Sequence, residues 1–419
     1  MVLQLEDKAV AFLMMVATTV LLGSWPSVFK VVERRGMRTE HAYLDYSPGN
    51  FVVALALALT VGNMGAALPG EPNFSDNLVD DNARRIFFAA LGGATLCIGN
   101  LLFVFGIGLV GVSIAQPLQA SLTVVFGTTI NYLLQPDKTQ PLPLFIGILL
   151  AVVAIVLGSL SHSGVVRARQ AARAAATGGL AKEASWAGGL SGAEQGRGGD
   201  GADHDDDGGA GGSHPHIVLR ETSAGALAPL IDGDAGDLPA GAKGKRARTR
   251  NPLTGILVCV ASGLVTAAFS PLFNLATNAA YLTADKPLTV YTAFFYFSAA
   301  FGACSLATNL WLMYRPPFGG EPSTVAAWCA TPVALRLAIL GAGVVCGTGN
   351  ALQFVAGKIA NFAASDIMAQ ANPLVGAFYG LLVFHEYDGA PRVARWQLAG
   401  MFASYLASVV FVALSFLDK

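Results

Sequence analysis

The stretch FAASDIMAQANPLVGAFYG, Phe362 to Gly380, holds a single charged residue, Asp366. A carboxylate in so apolar a run is costly unless it is protonated, paired or turned to a wet cavity. No Lys or Arg of another apolar run offers an obvious mate, although Lys358 lies two turns earlier if the helix extends that far. The favoured reading is a titrating group that binds a proton and couples it to solute movement; the alternative is a structural hydrogen bond. Gln370 follows one turn later on the same helical face. Other apolar runs carry uncharged polar and aromatic residues suited to ligand contact: Trp25, Gln116, Gln119, Asn274, Asn278, Tyr291, Gln353 and Asn372. Side-chain amides offer a donor and an acceptor on one plane, which matches a solute with amide or urea edges, and Trp or Tyr stacks on a flat ring. A phosphate or sulfate would call for Arg or Lys within the runs, and none stands at a midpoint. Each amide serves equally well as glue between helices, and Gly99-Asn100 and Gly349-Asn350 serve as points of close helix approach.

The elements that must position these residues are membrane-spanning. With 53% hydrophobic and 13% charged residues, the chain is too apolar for a soluble globule of 419 residues. Runs of about 20 apolar residues, enough to cross roughly 30 Å of hydrocarbon as helix, recur along it. Ten spans are expected: 10–31, 51–68, 86–107, 110–134, 144–161, 253–276, 289–314, 335–356, 362–384 and 396–417. The alternating short strands of a membrane barrel are absent from the sequence. Between the fives, residues 164–251 are dominated by Ala, Gly and charged residues and read as a disordered linker, whose start, VVRARQAARAAA, can form a basic amphipathic helix.

The linker contains two tempting patterns. Asp203, Asp205, Asp207 and Gly208 open like a calcium loop, but His214 stands where a bidentate Glu is needed. His204, His214 and His216 lack a folded frame that would fix metal geometry. No GxxxxGK[ST] phosphate cradle, HExxH or Ser/His/Asp arrangement occurs, so ATP-driven pumping and hydrolytic chemistry have no support. No metal and no cofactor is expected, nor a nucleic-acid partner. His162 and His385 lie at span ends, and Cys97, Cys259, Cys304, Cys329 and Cys346 read as small hydrophobes without a disulfide framework.

Lys and Arg set the expected orientation. Lys30, Arg34, Arg35, Arg38, Arg315, Arg336, Arg392 and Arg395 fall on the linker side, as do the basic ends of the linker itself. The positive-inside rule then places the linker in the cytoplasm and both termini outside, with an uncleaved first helix. The chain also repeats itself. LGGATLCIGN (91–100) and QAS (119–121) recur as LGAGVVCGTGN (340–350) and QAN (370–372) at a nearly constant offset, and SWPSVF (24–29) loosely matches FSPLF (269–273). Because each half holds an odd number of spans, the second inserts upside down. The expected fold is therefore an all-α integral membrane protein of ten transmembrane helices in two inverted five-helix repeats, 1–163 and 252–419. Pro26, Pro117, Pro271 and Pro373 are expected to break spans one, four, six and nine, freeing the carbonyls of Leu22, Ser113, Ala267 and Ala369 and marking a midplane site.

ERRGMRTEHAYLDYSPGNF (33–51), EPNF (71–74), VFGTTINYLL (125–134), FSPLFNLATN (269–278), VYTAFFYFS (290–298) and GNALQF (349–354) resemble the ureide permease family of the drug/metabolite transporter group. The resemblance implies proton-coupled uptake, at the plasma membrane, of allantoin and oxo-purine or oxo-pyrimidine bases such as uracil and xanthine. Plant members carry an acidic residue where this chain has Gln116, and a Walker-like segment in the linker; neither is present here. That departure leaves Asp366 as the main proton carrier. Some related carriers place both termini in the cytoplasm, against the charge asymmetry. The competing readings are a carrier of the same superfamily for another solute, such as a sugar or amino acid, and a membrane enzyme or sensor. The last lacks paired catalytic groups in any span.

Overall fold

A computed structural model describes residues 8–64, 72–79, 82–110, 112–194, 252–278, 286–316, 321–382 and 387–417. The tract from Asp203 to His216 and His385 lie outside these residues, as does the linker beyond Glu194. The first half holds α1 (Lys8–Arg34), α2 (Thr39–Leu59), α3 (Phe74–Val79), α4 (Ala83–Val110), α5 (Val112–Leu122), α6 (Thr128–Leu134) and α7 (Pro141–Glu194). A π-helical segment, Thr123–Gly127, joins α5 to α6. The second half holds α8 (Pro252–Ala267), α9 (Phe269–Thr277), α10 (Val290–Tyr314), α11 (Val325–Cys329), α12 (Val333–Ile359), α13 (Phe362–Ala369), α14 (Asn372–Leu382) and α15 (Arg392–Leu417). No strand occurs among the described residues.

Eight helical stretches are long and apolar enough to cross a membrane, from Lys8–Phe29 to Arg392–Phe416. The other two expected spans are assembled from shorter pieces, α5 with the π segment and α6, and α13 with α14; the sixth is also in two pieces, α8 and α9. Leu13, Leu149, Leu337 and Leu406 stand more than half exposed on the outer faces of their helices. So many large apolar side chains turned outward fit hydrocarbon as the surrounding solvent, and the chain is a multi-pass membrane protein.

Two expected boundaries move. Helix α2 begins at Thr39, well ahead of residue 51, because its polar residues find partners inside the bundle: His41 Nε2 lies 2.6 Å from Ser323 Oγ, and Asp45 meets Arg336. Helix α7 does not stop at residue 161 but continues to Glu194, through the first part of the expected linker. Its Ala and Arg residues are strong helix formers, and Val165 is buried against Ala390 and Ala394.

The two halves interdigitate. Helix α4 packs against α8 and α10, and α12 packs against α1 and α2. Glycines permit the approach: a Cβ on Gly93 would strike the carbonyl oxygen of Phe297, and one on Gly343 that of Tyr46. Gly99 lies against the Thr266 side chain and Gly349 against that of Leu22. The repeated LGG and LGAG motifs are thus the contact faces of these two central helices.

The prolines behave differently from one another. Helix α1 runs unbroken past Pro26, so the expected break is not there. Pro117 sits inside α5, and the irregularity falls after it, in the π segment. Pro271 lies just beyond the α8–α9 junction at Ala268, and Pro373 opens α14 after the interruption at Gln370 and Ala371.

Candidate functional site

Asp366 lies in the second turn of α13 and is 6% exposed. Its two carboxylate oxygens accept from two amides: Asn131 Nδ2 donates to Oδ2 at 2.6 Å and Gln353 Nε2 to Oδ1 at 3.0 Å. Asn131 also donates to Ser270 Oγ at 2.9 Å and accepts from Asn274 Nδ2 at 3.0 Å. Ser365 Oγ donates to the Gln353 carbonyl at 2.6 Å and so ties α13 to α12 beside the carboxylate. All of these residues are buried, and no ammonium or guanidinium of the described residues lies within ion-pair distance of Asp366.

Four elements converge to make this network. Asn131 comes from α6, Ser270 and Asn274 from α9, Gln353 from α12 and Asp366 from α13. Phe273 and Phe354 stack on each other beside it at 3.7 Å between centroids, with Phe362 next to Phe273. Phe273 and Phe354 are chain neighbours of Asn274 and Gln353, and apolar surroundings strengthen such buried polar contacts.

The network is not at the midplane expected from the proline positions. Asp366 is four residues into α13, and Asn131, Asn274 and Gln353 all stand within two turns of the C-terminal ends of their helices. It therefore lies toward the end of the bundle opposite the linker. That end is closed by polar contacts: Lys358 Nζ donates to the Thr277 carbonyl at 2.6 Å, Lys138 Nζ to the Lys358 carbonyl at 3.1 Å and Asn361 Nδ2 to the Gln135 carbonyl at 3.4 Å. The lysines cap helix C-termini, where positive charge is favoured.

Of the sequence candidates, Asp366, Asn274 and Gln353 come together. Trp25 instead packs with Phe29 and Tyr46 in an aromatic cluster between α1 and α2. Gln119 Nε2 reaches Thr123 Oγ1 of the adjoining π segment at 3.4 Å. Gln116 and Asn372 are half-buried, as is Gln370, whose backbone carbonyl accepts from Tyr405. The Asn278 carbonyl accepts from Arg85 Nη1 at 2.6 Å, and Tyr291 sits beside Gly62 at the start of α10. The sequence reading missed Asn131 and Ser270. Both lie in motifs singled out above, VFGTTINYLL and FSPLF, and Asn131 is as isolated in an apolar run as the amides that were chosen.

A second buried carboxylate, Asp45 of α2, was also missed. Arg336 grips it with both Nε and Nη2, the latter at 2.9 Å, and Trp328 Nε1 donates to it at 3.1 Å. The guanidinium carbon lies 4.3 Å from the Trp328 ring centre. This neutralised cluster fastens the linker-side ends of α2 and α12.

The arrangement is a buried carboxylate held by amides within a bundle of apolar helices, with no cation of the described residues in ion-pair distance. The sequence profile of the ureide permease family matches residues 42–207 and 225–415. The chain belongs to the ureide permease family. It is 32% identical over 418 residues to Ureide permease 4 of Arabidopsis thaliana, covering 98% of each chain. It is 33% identical over 413 residues to Ureide permease 2 of the same plant, again covering 98% of each. Against Probable ureide permease A3 of Vigna unguiculata it is 32% identical over 390 residues, covering 92% of this chain and 98% of that one. Members of this family are transporters, so the chain is a membrane transporter and not an enzyme. The profile runs on to residue 207 and resumes at 225, so family similarity extends into the segment between the halves.

Proposed function

We propose that the chain is a proton-coupled secondary transporter of ureides and oxo-purine or oxo-pyrimidine bases, allantoin, uracil and xanthine among them. The observation that carries this is the Asp366 carboxylate, buried with no cation of the described residues in ion-pair distance and held on both oxygens by amides from two other helices. An ionised Asp366 accepts from Asn131 and Gln353; once protonated it has an O–H to donate and needs fewer donors. Protonation therefore releases an amide edge, and a flat solute with adjoining C=O and N–H groups can take it up. The names of the plant relatives support ureides as the solute class. The carrier needs no ATP, because the proton gradient supplies the driving force.

The mechanism requires two halves that rock against each other, and ten crossings in two inverted five-helix repeats, 1–163 and 252–419, provide them. The helix pairing supports this plan. Span three (α4) meets spans six and seven, and its counterpart, span eight (α12), meets spans one and two. The pairs correspond when the halves are exchanged. Residues 164–251 join the halves, on the cytoplasmic face by the positive-inside rule, with both termini outside and the protein in the plasma membrane.

The direct test is uptake of labelled allantoin and uracil by a host that lacks such transport, with and without a protonophore. Accumulation above the external concentration that collapses with the protonophore is the expected result. Accumulation indifferent to the protonophore would refute proton coupling, and no uptake of either solute would refute the solute class.

A further inference from the structure

A cavity of about 290 Å³ opens near the linker-side ends of α2, α4 and α10, away from the carboxylate network. Its polar wall is made by Asn100, Ser305, Thr308 and Asn309, and its aromatic wall by Tyr43 and Phe301. At its mouth Arg38 is paired with Glu40, so the entrance carries a neutralised pair rather than a net charge.

Asn100 is the informative residue. It ends the motif LGGATLCIGN, whose counterpart LGAGVVCGTGN ends in Asn350. Asn350 is 7% exposed and donates to Cys346 Sγ at 3.6 Å inside the helix packing. Asn100 is half-buried, lines the cavity, and its side-chain amide has no hydrogen-bond partner among the described residues. An amide in the middle of an apolar span with no partner needs water or a ligand. Asn309, which also lines the cavity, spends its Nδ2 on Ser305, and its Oδ1 has no donor among the described residues. One hydrophobic cluster includes Phe301 and Cys97 of the cavity wall and Ala369 at the inner end of α13, so packed side chains separate the cavity from Asp366.

We propose that this cavity is a second solute subsite, in which Asn100 and Asn309 read the amide edge of an uncharged heterocycle while Tyr43 and Phe301 flank its ring. The volume sits at the lower end of small-molecule sites, roughly 300 Å³, which suits a one- or two-ring solute. The inference rests on the transport reading above. It adds that the solute waits on the linker side before or after it meets the carboxylate, which makes the two faces of the carrier differ in affinity.

The test uses the full chain in sealed vesicles of both orientations with allantoin as the probe. Asn100→Leu should raise the half-saturating allantoin concentration for entry from the linker face about tenfold, the value of one lost hydrogen bond. Entry from the opposite face should stay within about twofold. A separate reading that does not depend on that variant is Leu101→Cys, on the cavity wall, in a chain with Cys97, Cys304 and Cys329 replaced by Ala. Allantoin should slow modification of the introduced thiol by a membrane-impermeant reagent added from the linker face. An unchanged or equally raised half-saturation on both faces, or an introduced thiol left unprotected in a chain that carries allantoin, overturns the subsite and leaves transport standing; the same result is expected if lipid fills the cavity. A wild-type chain that carries no allantoin refutes the transport reading and this inference together.

Discussion

Replacing Asn131 by Leu tests the network at its centre. Leu keeps the branched outline of Asn but is bulkier, so the check on folding below is needed; it removes the 2.6 Å bond to Asp366 Oδ2, the 2.9 Å bond to Ser270 and the acceptor for Asn274. The first is a bond to a charged group, about 1.5–3 kcal/mol, and the second a neutral one, about 0.5–1.5 kcal/mol. Asn274 Oδ1 already lacks a partner, so after the change that buried amide would be satisfied on neither side. The competent arrangement of the site should therefore lose about 2–4 kcal/mol, a fall of at least about thirtyfold in its population. The assay is initial allantoin uptake at matched surface expression, with monodisperse elution in detergent as the check on folding. Asn131→Leu that elutes normally should retain no more than a few per cent of wild-type uptake, and Asn131→Gln should retain more. Uptake within about twofold of wild type would show that the amide ladder is structural and that the site lies elsewhere.

Further outcomes follow from the packing. Gly93→Ala and Gly343→Ala force a methyl into a neighbouring helix backbone and should each lower folded yield and thermal stability, by about 1–3 kcal/mol; Gly302→Ala, with open space around it, should be neutral or slightly stabilising. Arg336→Gln leaves the buried Asp45 carboxylate without its cation and should cost about 3 kcal/mol, read as a lower melting temperature in detergent. Adding Asp45→Asn should restore part of that loss, and simple additivity would count against the clamp. An epitope in the linker should be shielded from an impermeant reagent in intact cells while one at the N-terminus is labelled; the reverse pattern would invert the proposed orientation.

Much of the fold was legible because span length and apolarity are properties of single segments. What the sequence hid was pairing across the chain. Glu40, His41 and Asp45 read as loop because burial of a polar group depends on a partner, and theirs are supplied by the chain itself and by residues from 323 to 336. Helix α7 outran its expected end because an Ala- and Arg-rich sequence propagates a helix once a span has nucleated it. Proline proved an uneven guide: Pro26 is absorbed in α1, whereas Pro271 and Pro373 stand next to true interruptions. Asp366 was conspicuous as the lone charge in its run, and Gln353 and Asn274 as amides near proline or glycine. Asn131 shows the limit, since nothing local separates it from Gln116 or Gln119. Only the convergence of α6, α9, α12 and α13 does so.

The central claim is that Asp366 carries the proton, and Asp366→Asn tests it most directly. The amide keeps the size and hydrogen-bonding capacity of the carboxyl but cannot titrate. At equal surface expression, the variant should fail to accumulate allantoin against its gradient under an imposed proton gradient, while exchange of internal for external allantoin continues. Proton-driven accumulation by Asp366→Asn at the wild-type level, with the same dependence on external pH, would contradict the account.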